Sequence, residues 1–242
     1  LVGILVGLFF ALFVVKFRSD EFIIGTALNI FAGGLTVFLL RALFQVKGTF
    51  QGTPGRPVVG LPQVDLGILK RIPCLGEVLD GSSLFILLTW GLVALMWVFV
   101  YRTPWGFWIR AAGEEPNTLR TAGIRPEKMK WLSSVLCGAF CGLAGAQLAL
   151  GNVTMFAEGM SNSRGYVAFA CVIFGAANPG KAYLAALMFG FFDALGYRLQ
   201  DYHMNANLTS MIPYVITVVM MVYVVVRSQQ KKKRAVTRVL PG

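Results

Sequence analysis

The feature that most constrains this chain is a series of apolar runs about as long as a membrane-spanning helix. The fullest run, Phe22–Phe44, has 23 residues and extends about 35 Å as an α-helix at 1.5 Å per residue. A helix of about 20 apolar residues satisfies all its backbone groups inside a lipid bilayer. We therefore predict an all-α polytopic membrane protein. The other apolar runs are Leu1–Val15, Gly81–Tyr101, Trp131–Gly151, Gly180–Gln200 and Leu208–Val226.

Composition and charge exclude other classes of protein. The chain has 56% apolar and 14% charged residues, whereas about a quarter of a soluble domain is charged. The net charge of +11 does not indicate nucleic-acid binding, because the basic residues gather where apolar runs end rather than in one patch interleaved with aromatics. The cysteines indicate neither a disulfide framework nor a metal site, since three of the four lie inside apolar segments. Cys137 and Cys141 share a helix face, where we interpret them as small packing residues.

One apolar segment is too short to span a membrane alone. Tyr166–Ala177 has about twelve residues and would extend roughly 18 Å as a helix. Asn178 and Pro179 then form the pattern of an N-cap followed by proline at the first helical position, which predicts a helix start before Gly180. Counting this short or broken segment, we predict about six membrane segments. The chain opens inside an apolar run without an initiating Met, and we expect further N-terminal spans to be missing.

Charge also predicts the orientation. Placing the C-terminus in the cytoplasm puts fifteen of the 22 Lys and Arg residues on the cytoplasmic side, as the positive-inside rule requires. We thus predict a transmembrane domain over residues 1–230 and a basic cytoplasmic tail over 231–242. Loop 102–130 is then cytoplasmic. Loop 45–80, which is rich in Gly and Pro, is external and irregular with one surface helix near Val64–Leu69.

The charged segment Arg110–Lys130 is a candidate docking loop. Pro116 and Pro126 bracket residues 117–125, which we predict to be a short helix with Asn117 as its N-cap and Gly123 near its end. A short helix on a tight loop between spans presents a rigid face to an aqueous partner. The alternative is a solvated loop that only joins two spans.

Residues 152–178 are a candidate wall of a transport path, since irregular backbone at membrane depth is tolerated only where it is buried in protein or lines a cavity. Asn29 and Thr36 lie inside an apolar span and suit either a polar path or interhelical hydrogen bonds. Arg164 is expected at the outer mouth, reaching water or pairing with Glu158. The whole set of path candidates is Asn29, Phe31, Thr36, Phe38, Asn152, Met155, Phe156, Arg164 and Asp193.

Small residues predict a close helix contact. Gly138 and Gly142 form the small-xxx-small pattern that lets two membrane helices approach backbone to backbone. Gly145 extends the same pattern, and we predict that all three glycines face a neighbouring helix rather than a pore.

Four stretches resemble a known family: FIIGTALNIFAGGLTVFLLRALF, RAAGEEPNTLRTAGI, CGAFCGLAGAQLALG and FAEGMSNSRGYVAFACVIFGAANPGKAYLAALMFGFFDALGYRLQ. Together they are similar to the permease subunit of ABC importers for simple sugars and nucleosides, in the ribose and branched-chain-type superfamily. The most similar branch works with basic-membrane-protein-type binding lipoproteins. One departure is SNSRGY, which stands where the family reads closer to TAGRGF and leaves the role of Ser163 open.

The resemblance implies a bacterial plasma-membrane complex. Its expected partners are a homologous second permease chain, two cytoplasmic ATPases and an external substrate-binding lipoprotein. It also implies that the short helix in loop 102–130 is a coupling helix that inserts into the ATPase. The coupling residues carried over are Gly113, Glu114, Glu115, Pro116, Asn117, Ala122 and Gly123.

The residues also favour a transport role in which the energy is supplied by another protein chain. No G-x-x-x-x-G-K-[ST] motif occurs, so we expect this chain to bind no cofactor and ATP with Mg to bind the partner ATPase. The alternative is an ion-coupled secondary transporter with Asp193 as the coupling carboxylate, although Asp193 also suits a structural pair. An enzyme is disfavoured, because the one histidine, His203, has no cluster of acidic or nucleophilic partners. The path candidates suit a neutral polar ligand with a ring, which fits nucleosides and sugars equally.

Overall fold

The computed structural model describes residues 1–53, 56–57, 60, 84–151 and 154–201. Several predictions lie outside these residues: the last span Leu208–Val226, the basic tail, the surface helix at Val64–Leu69, Asn152 and His203. The chain divides into two compact units, Leu1–Asn162 and a second unit that begins at Ser163.

The first unit contains six of the described helices and four short strands. A π-helical turn, Leu12–Lys16, follows the first of these helices. The helices are α1 Val2–Ala11, α2 Glu21–Phe44, α3 Leu84–Arg102, α4 Pro104–Glu114, α5 Pro116–Thr121 and α6 Pro126–Leu150. The strands are β1 Thr49–Phe50, β2 Gly52–Thr53, β3 Arg56–Pro57 and β4 Phe156–Ala157. The second unit contributes α7 Arg164–Phe174 and α8 Pro179–Asp201.

Two of the described helices, α2 and α6, are long and apolar enough to cross a membrane. A third span is present if Leu88–Arg102 and Pro104–Glu114 count as one, although they are bent by 74°. Val2–Lys16 and α7 are shorter apolar helices. The protein is thus a largely helical membrane protein with two to three candidate spans among its described residues, and the total of about six stays a prediction.

Two long helices begin where a polar side chain caps their first turn. The Asp20 carboxylate accepts hydrogen bonds from the backbone N–H groups of Phe22 (2.9 Å) and Ile23 (3.1 Å) at the start of α2. Asn178 does the same for Gly180 (3.0 Å) and Lys181 (3.4 Å) at the start of α8, which confirms the predicted cap. Each cap satisfies N–H groups that have no partner inside the helix.

Helices α1 and α6 cross antiparallel with their backbones in contact. A Cβ atom added to Gly138 would lie 3.0 Å from Gly7 Cα, and one added to Gly3 would lie 2.9 Å from Gly142 Cα. Gly7 is buried against the carbonyl of Ser134. Only glycine leaves room for such an approach, which gains dispersion energy between the two backbones.

The predicted irregular loop 45–80 includes strands that sequence reasoning missed. Strand β1 pairs antiparallel with β4, with Thr49 opposite Ala157 and Phe50 opposite Phe156. Strands β2 and β3 form a second two-stranded pair. The β1–β4 pairing joins the segment after α2 to the segment after α6.

In the second unit, α7 and α8 form a tight helical hairpin. Helix α7 has 11 residues, about 17 Å, and ends at Phe174, so the predicted segment Tyr166–Ala177 is helical over only part of its length. Ala176 (φ 49°) and Ala177 (φ 56°) turn the chain in the left-handed region. The rings of Phe174 and Phe189 stack at 5.8 Å between centroids across the hairpin.

Candidate coupling surface and transport path

The predicted helix of the charged loop exists but has different bounds. Helix α5 runs Pro116–Thr121, shorter than the predicted 117–125. The prediction that Asn117 caps it is wrong, because Pro116 occupies the first helical position and Glu115 occupies the cap without a side-chain hydrogen bond. Proline suits that position since its fixed φ matches the helix and its missing N–H is not needed there.

Gly123 ends helix α5 in the way the sequence predicts. Gly123 has φ +77°, and its N–H donates to the Arg120 carbonyl at 3.0 Å. The N–H of Ile124 donates to the Leu119 carbonyl, also at 3.0 Å. These two bonds form a Schellman motif, in which a left-handed residue closes the helix and satisfies its last carbonyls. Ile124 packs beside Leu119, as this motif favours.

Helix α5 is held by a small hydrophobic core. Leu119 is 3% exposed and packs with Ala112 of α4 and Met129 of α6, which are 2% and 5% exposed. Trp108 and Ile109 of α4 border this core. A helix of six residues is not stable by itself. Packing of Leu119 is therefore what fixes α5 relative to α4 and α6.

An ion pair adds a second tie between α5 and α6. A guanidinium nitrogen of Arg120 lies 2.5 Å from a carboxylate oxygen of Glu127 in the first turn of α6. Arg18, after the end of α1, also attracts Glu127 electrostatically. Both members of the pair are about half exposed, so solvent screening keeps the energetic contribution of the pair small.

The residues predicted to couple to an ATPase surround this helix on its open side. Pro116 is half-buried, while the other six members are exposed: Gly113, Glu114, Glu115, Asn117, Ala122 and Gly123. The structure thus brings these residues together on one exposed surface around α5, and the buried Leu119 anchors that helix to α4 and α6.

The structure does not gather the path candidates of α2 into one wall. Asn29 and Thr36 are seven residues apart and share one face of α2, whereas Phe31 and Phe38 share the opposite face. All four are exposed. The Thr36 hydroxyl donates to the carbonyl of Ala32 one turn earlier.

The remaining path candidates fall in two places. Met155 and Phe156 are half-buried where β4 pairs with β1, and Asn152 lies outside the described residues. In the second unit, Arg164 is the exposed first residue of α7, and Asp193 is half-buried in α8 one turn beyond Phe189. The pairing of Arg164 with Glu158 stays a prediction.

The β1–β4 contact carries a feature that the sequence reasoning missed. The Glu158 N–H donates to the Gly48 carbonyl at 2.9 Å, and the Glu158 carboxylate accepts from the Gly48 N–H at 3.3 Å. We call Gly48, Glu158 and these two strands the strand clasp. Its pairing partners are over a hundred residues apart, and no local signal in the sequence indicates them.

The close contact predicted for the glycines of α6 forms at two of the three positions. Its partner residues in α1 are also glycines that the sequence pattern indicates. Gly138 and Gly142 lie against α1, but a Cβ added to Gly145 meets no described atom within 4 Å. Among the described residues, Gly145 therefore lies outside this contact. Gly3 and Gly7 supply the other half, and their own small-xxx-small spacing is visible in the sequence.

Comparison with known proteins identifies the family. The family model described as the permease component of the branched-chain amino acid transport system matches residues 1–222. The nucleoside ABC transporter permease protein NupC of Lactococcus lactis is 30% identical over 227 residues, covering 91% of this chain and 69% of the relative. The guanosine ABC transporter permease protein NupQ of Bacillus subtilis is 29% identical over 239 residues, covering 97% and 73%.

A third relative, the putative glucose ABC transporter permease protein TsgC13 of Haloferax volcanii, is 28% identical over 239 residues, covering 89% of this chain and 70% of the relative. No solved structure matches the chain. The family match extends over the apolar helices, the charged loop and the helical hairpin alike. The chain belongs to this ABC transporter permease family, as an integral membrane transport subunit and not an enzyme.

Proposed function

We propose that this permease moves a nucleoside or a simple sugar into the cell, driven by ATP hydrolysis on a separate ATPase subunit. Relatives of both substrate classes support this range, since their names include nucleoside, guanosine and glucose permeases. An ABC permease of this family works with ATPase and binding-protein partners. The observation that carries the proposal is helix α5, a short helix fixed by a buried leucine and exposed on its other side.

Helix α5 is the proposed contact with the ATPase. Its exposed neighbours Glu114, Glu115 and Asn117 offer charge and hydrogen-bonding groups to an aqueous partner. Behind them, Leu119 transmits a push on α5 to Met129 at the base of α6, because a packed core does not compress. Helix α6 is one uninterrupted helix of 25 residues, about 37 Å, so movement at its base reaches its far end.

The packing supports the predicted orientation. Since α1 and α6 run antiparallel, Lys16 and Arg18 lie at the same end of the unit as Glu127 and the coupling loop. The charge count assigns both groups to the cytoplasm. The strand clasp lies beyond the opposite end of α6, in segments that the same count assigns to the outside. We therefore propose that the coupling end and the C-terminus are cytoplasmic.

The exposure of α2 supports a larger assembly. Both its polar face, with Asn29 and Thr36, and its aromatic face, with Phe31 and Phe38, are exposed in this chain. An apolar spanning helix needs lipid or protein around it, and a path needs a second wall. We propose that a homologous second permease chain and the remaining spans provide that wall in a plasma membrane, with an external binding lipoprotein delivering substrate. ATP and Mg bind the ATPase.

Charge reversal at the coupling surface tests the ATPase contact. The double variant Glu114→Lys and Glu115→Lys should uncouple ATP hydrolysis from uptake in vesicles reconstituted with the ATPase and binding protein. Both side chains are exposed, so the amount of protein in the membrane should not change. Lys128→Glu, an exposed charge change beyond the coupling helix, is the matched control. Normal coupled transport by the double variant would refute the assignment of α5.

Uptake competition tests the substrate class and the energy source. Unlabelled nucleosides should compete with labelled substrate if the nucleoside relatives are the better guide, and pentoses should compete if the sugar relatives are. Uptake should require the ATPase chain and survive collapse of ion gradients. Gradient-dependent uptake that is abolished by Asp193→Asn would instead establish the ion-coupled alternative.

A further inference from the structure

Helix α4 departs sharply from the direction of the helix before it. It follows α3 after one residue and is bent 74° from it. Thr103 makes the bend: its hydroxyl accepts from the Gly106 N–H at 3.3 Å and donates to the Phe99 carbonyl at 2.6 Å. A Cβ at Gly106 would lie 2.5 Å from Val100 Cα, so only glycine fits inside this corner. The bend directs α4 closer to the membrane plane than to the membrane normal if α3 spans.

The apolar face of α4 is covered by protein at its centre, whereas Trp105 and Phe107 lie at its two edges, about 200° apart around the helix. Ala112 is buried in the core with Leu119 and Met129. Trp105 and Phe107 are 50% and 60% exposed. Two large aromatic side chains left open beside the end of an apolar helix indicate a contact that this unit does not itself supply.

Two arginines lie close in the chain to these aromatic residues. Arg102 ends α3 and is exposed, and the guanidinium carbon of Arg110 lies 4.9 Å from the ring centroid of Tyr101. Stacking on an aromatic ring holds an arginine while leaving its N–H edge free for phosphate oxygens. Glu114, at the last turn of α4, is the acidic residue of this helix, and it adjoins the coupling surface.

Another segment at the same end repeats this pattern. Lys16, Phe17 and Arg18 follow helix α1 and are exposed, with Phe17 at 61%. The π-helical turn Leu12–Lys16, which leads into this segment, contacts α6. Aromatic rings with arginine and lysine at one end of apolar helices are the composition of a membrane–water interface.

From these observations we infer that α4 lies in the membrane surface at the coupling end and binds anionic lipid headgroups there. Trp105 and Phe107, on two sides of α4, lie at the depth of the boundary between headgroups and acyl chains, while Arg102 and Arg110 contact lipid phosphates. The lipid leaflet thereby holds α4, and α4 in turn holds the base of α5 through Ala112. This inference depends on the membrane location of the chain and not on the substrate or the ATPase.

Tryptophan quenching by brominated lipids tests the depth of α4. A protein that retains Trp105 alone, with Trp90, Trp97, Trp108 and Trp131 replaced by Phe, is reconstituted into vesicles containing lipids brominated at shallow or deep acyl positions. Trp105 should be quenched most by shallow bromines. The matched control retains Trp90 alone, twelve residues before Arg102 and about 18 Å further into α3, where deep bromines should quench most. Quenching of Trp105 mainly by deep bromines would show that α4 is part of a span. No quenching by either lipid would show that protein covers α4. Each result would overturn the inference.

Lipid charge is tested by a second arm. Quenching of Trp105 by brominated phosphatidylglycerol should exceed quenching by brominated phosphatidylcholine. Arg102→Gln with Arg110→Gln should reduce that preference, by up to about fivefold for each arginine removed. Arg41→Gln, at the other end of a candidate span, should leave it unchanged. Equal quenching by both lipids before mutation would overturn the role of the arginines.

A spin-label measurement keeps the test independent of the tryptophan replacements. A label on Phe107→Cys, in a background without the native cysteines, should be more accessible to oxygen than to a water-soluble relaxing agent. A label on Thr121→Cys, which is exposed on α5, should show the opposite preference. Aqueous accessibility at both positions would refute the lipid contact even if the single-tryptophan proteins fail to fold.

Discussion

The crossing of α1 and α6 predicts a graded response to alanine along one helix face. Gly138, Gly142 and Gly145 lie in the same helix, so Gly→Ala gives each the same gain in helix propensity, about 1 kcal/mol. Their environments differ. What separates the three variants is therefore the fit of one added methyl group against Gly3 and Gly7 of α1.

The distances rank the three sites. A Cβ at Gly138 would lie 3.0 Å from Gly7 Cα and 3.1 Å from Gly7 N, which are backbone atoms that cannot rotate away. A Cβ at Gly142 would lie 3.3 Å from Gly3 Cα, and one at Gly145 meets nothing described within 4 Å. Ordinary carbon contacts are about 3.5–4.0 Å, and forcing an extra methylene into a packed site costs about 1–3 kcal/mol. Gly138→Ala should thus be about 1–3 kcal/mol less stable than Gly145→Ala, with Gly142→Ala between them.

Thermal unfolding in detergent, followed by size-exclusion chromatography of the remaining monodisperse protein, measures this ranking. The unfolding temperature changes by about 2–4 °C per kcal/mol in a protein of this size. The unfolding temperatures of Gly138→Ala and Gly145→Ala should therefore differ by roughly 2–12 °C. Leucine at the same positions should widen the gap at 138 and lower the yield of folded protein, while Gly145→Leu stays near the parent. Equal loss at 138 and 145 would show that the α1–α6 contact is not formed as described.

Three further changes probe the coupling helix and the strand clasp. Leu119→Ala should destabilise the packing of α5 by about 2–5 kcal/mol and speed its backbone hydrogen exchange, since this side chain is 3% exposed; unchanged exchange would contradict its role as the anchor. Gly123→Val should cost about 1–3 kcal/mol at φ +77° and lower coupled uptake, whereas Gly113→Ala, in open space within a helix, should not lower stability. Glu158→Ala should raise the reaction of single cysteines placed at residues 154–165 with hydrophilic thiol reagents; uniform inertness in both backgrounds would exclude an accessible path segment.

Local features of this protein follow from the sequence because neighbouring residues create them. Apolar runs predict α2 and α6 within a few residues, and Asn178 caps α8 where the Asn-Pro pair indicates. Pro116 and Gly123 mark the two ends of α5. The error at Asn117 is also local: Pro116 is the first residue of the helix and not its boundary, because the φ of proline suits the first turn. Most of the structure around the candidate coupling residues was predictable for this reason.

What only the tertiary structure decides is which distant segments meet. The sequence shows small residues at Gly138, Gly142 and Gly145, but the crossing of α1 determines that the first two are packed against it, while no described residue lies against Gly145. In the sequence, Leu119 is an apolar residue within a charged loop. In the structure it is buried because α4, α5 and α6 pack together around it. The sequence contains no sign that Gly48 binds Glu158. Helix crossing and strand register depend on contacts across many residues, and these contacts are set by the summed packing of whole elements rather than by the residues beside them.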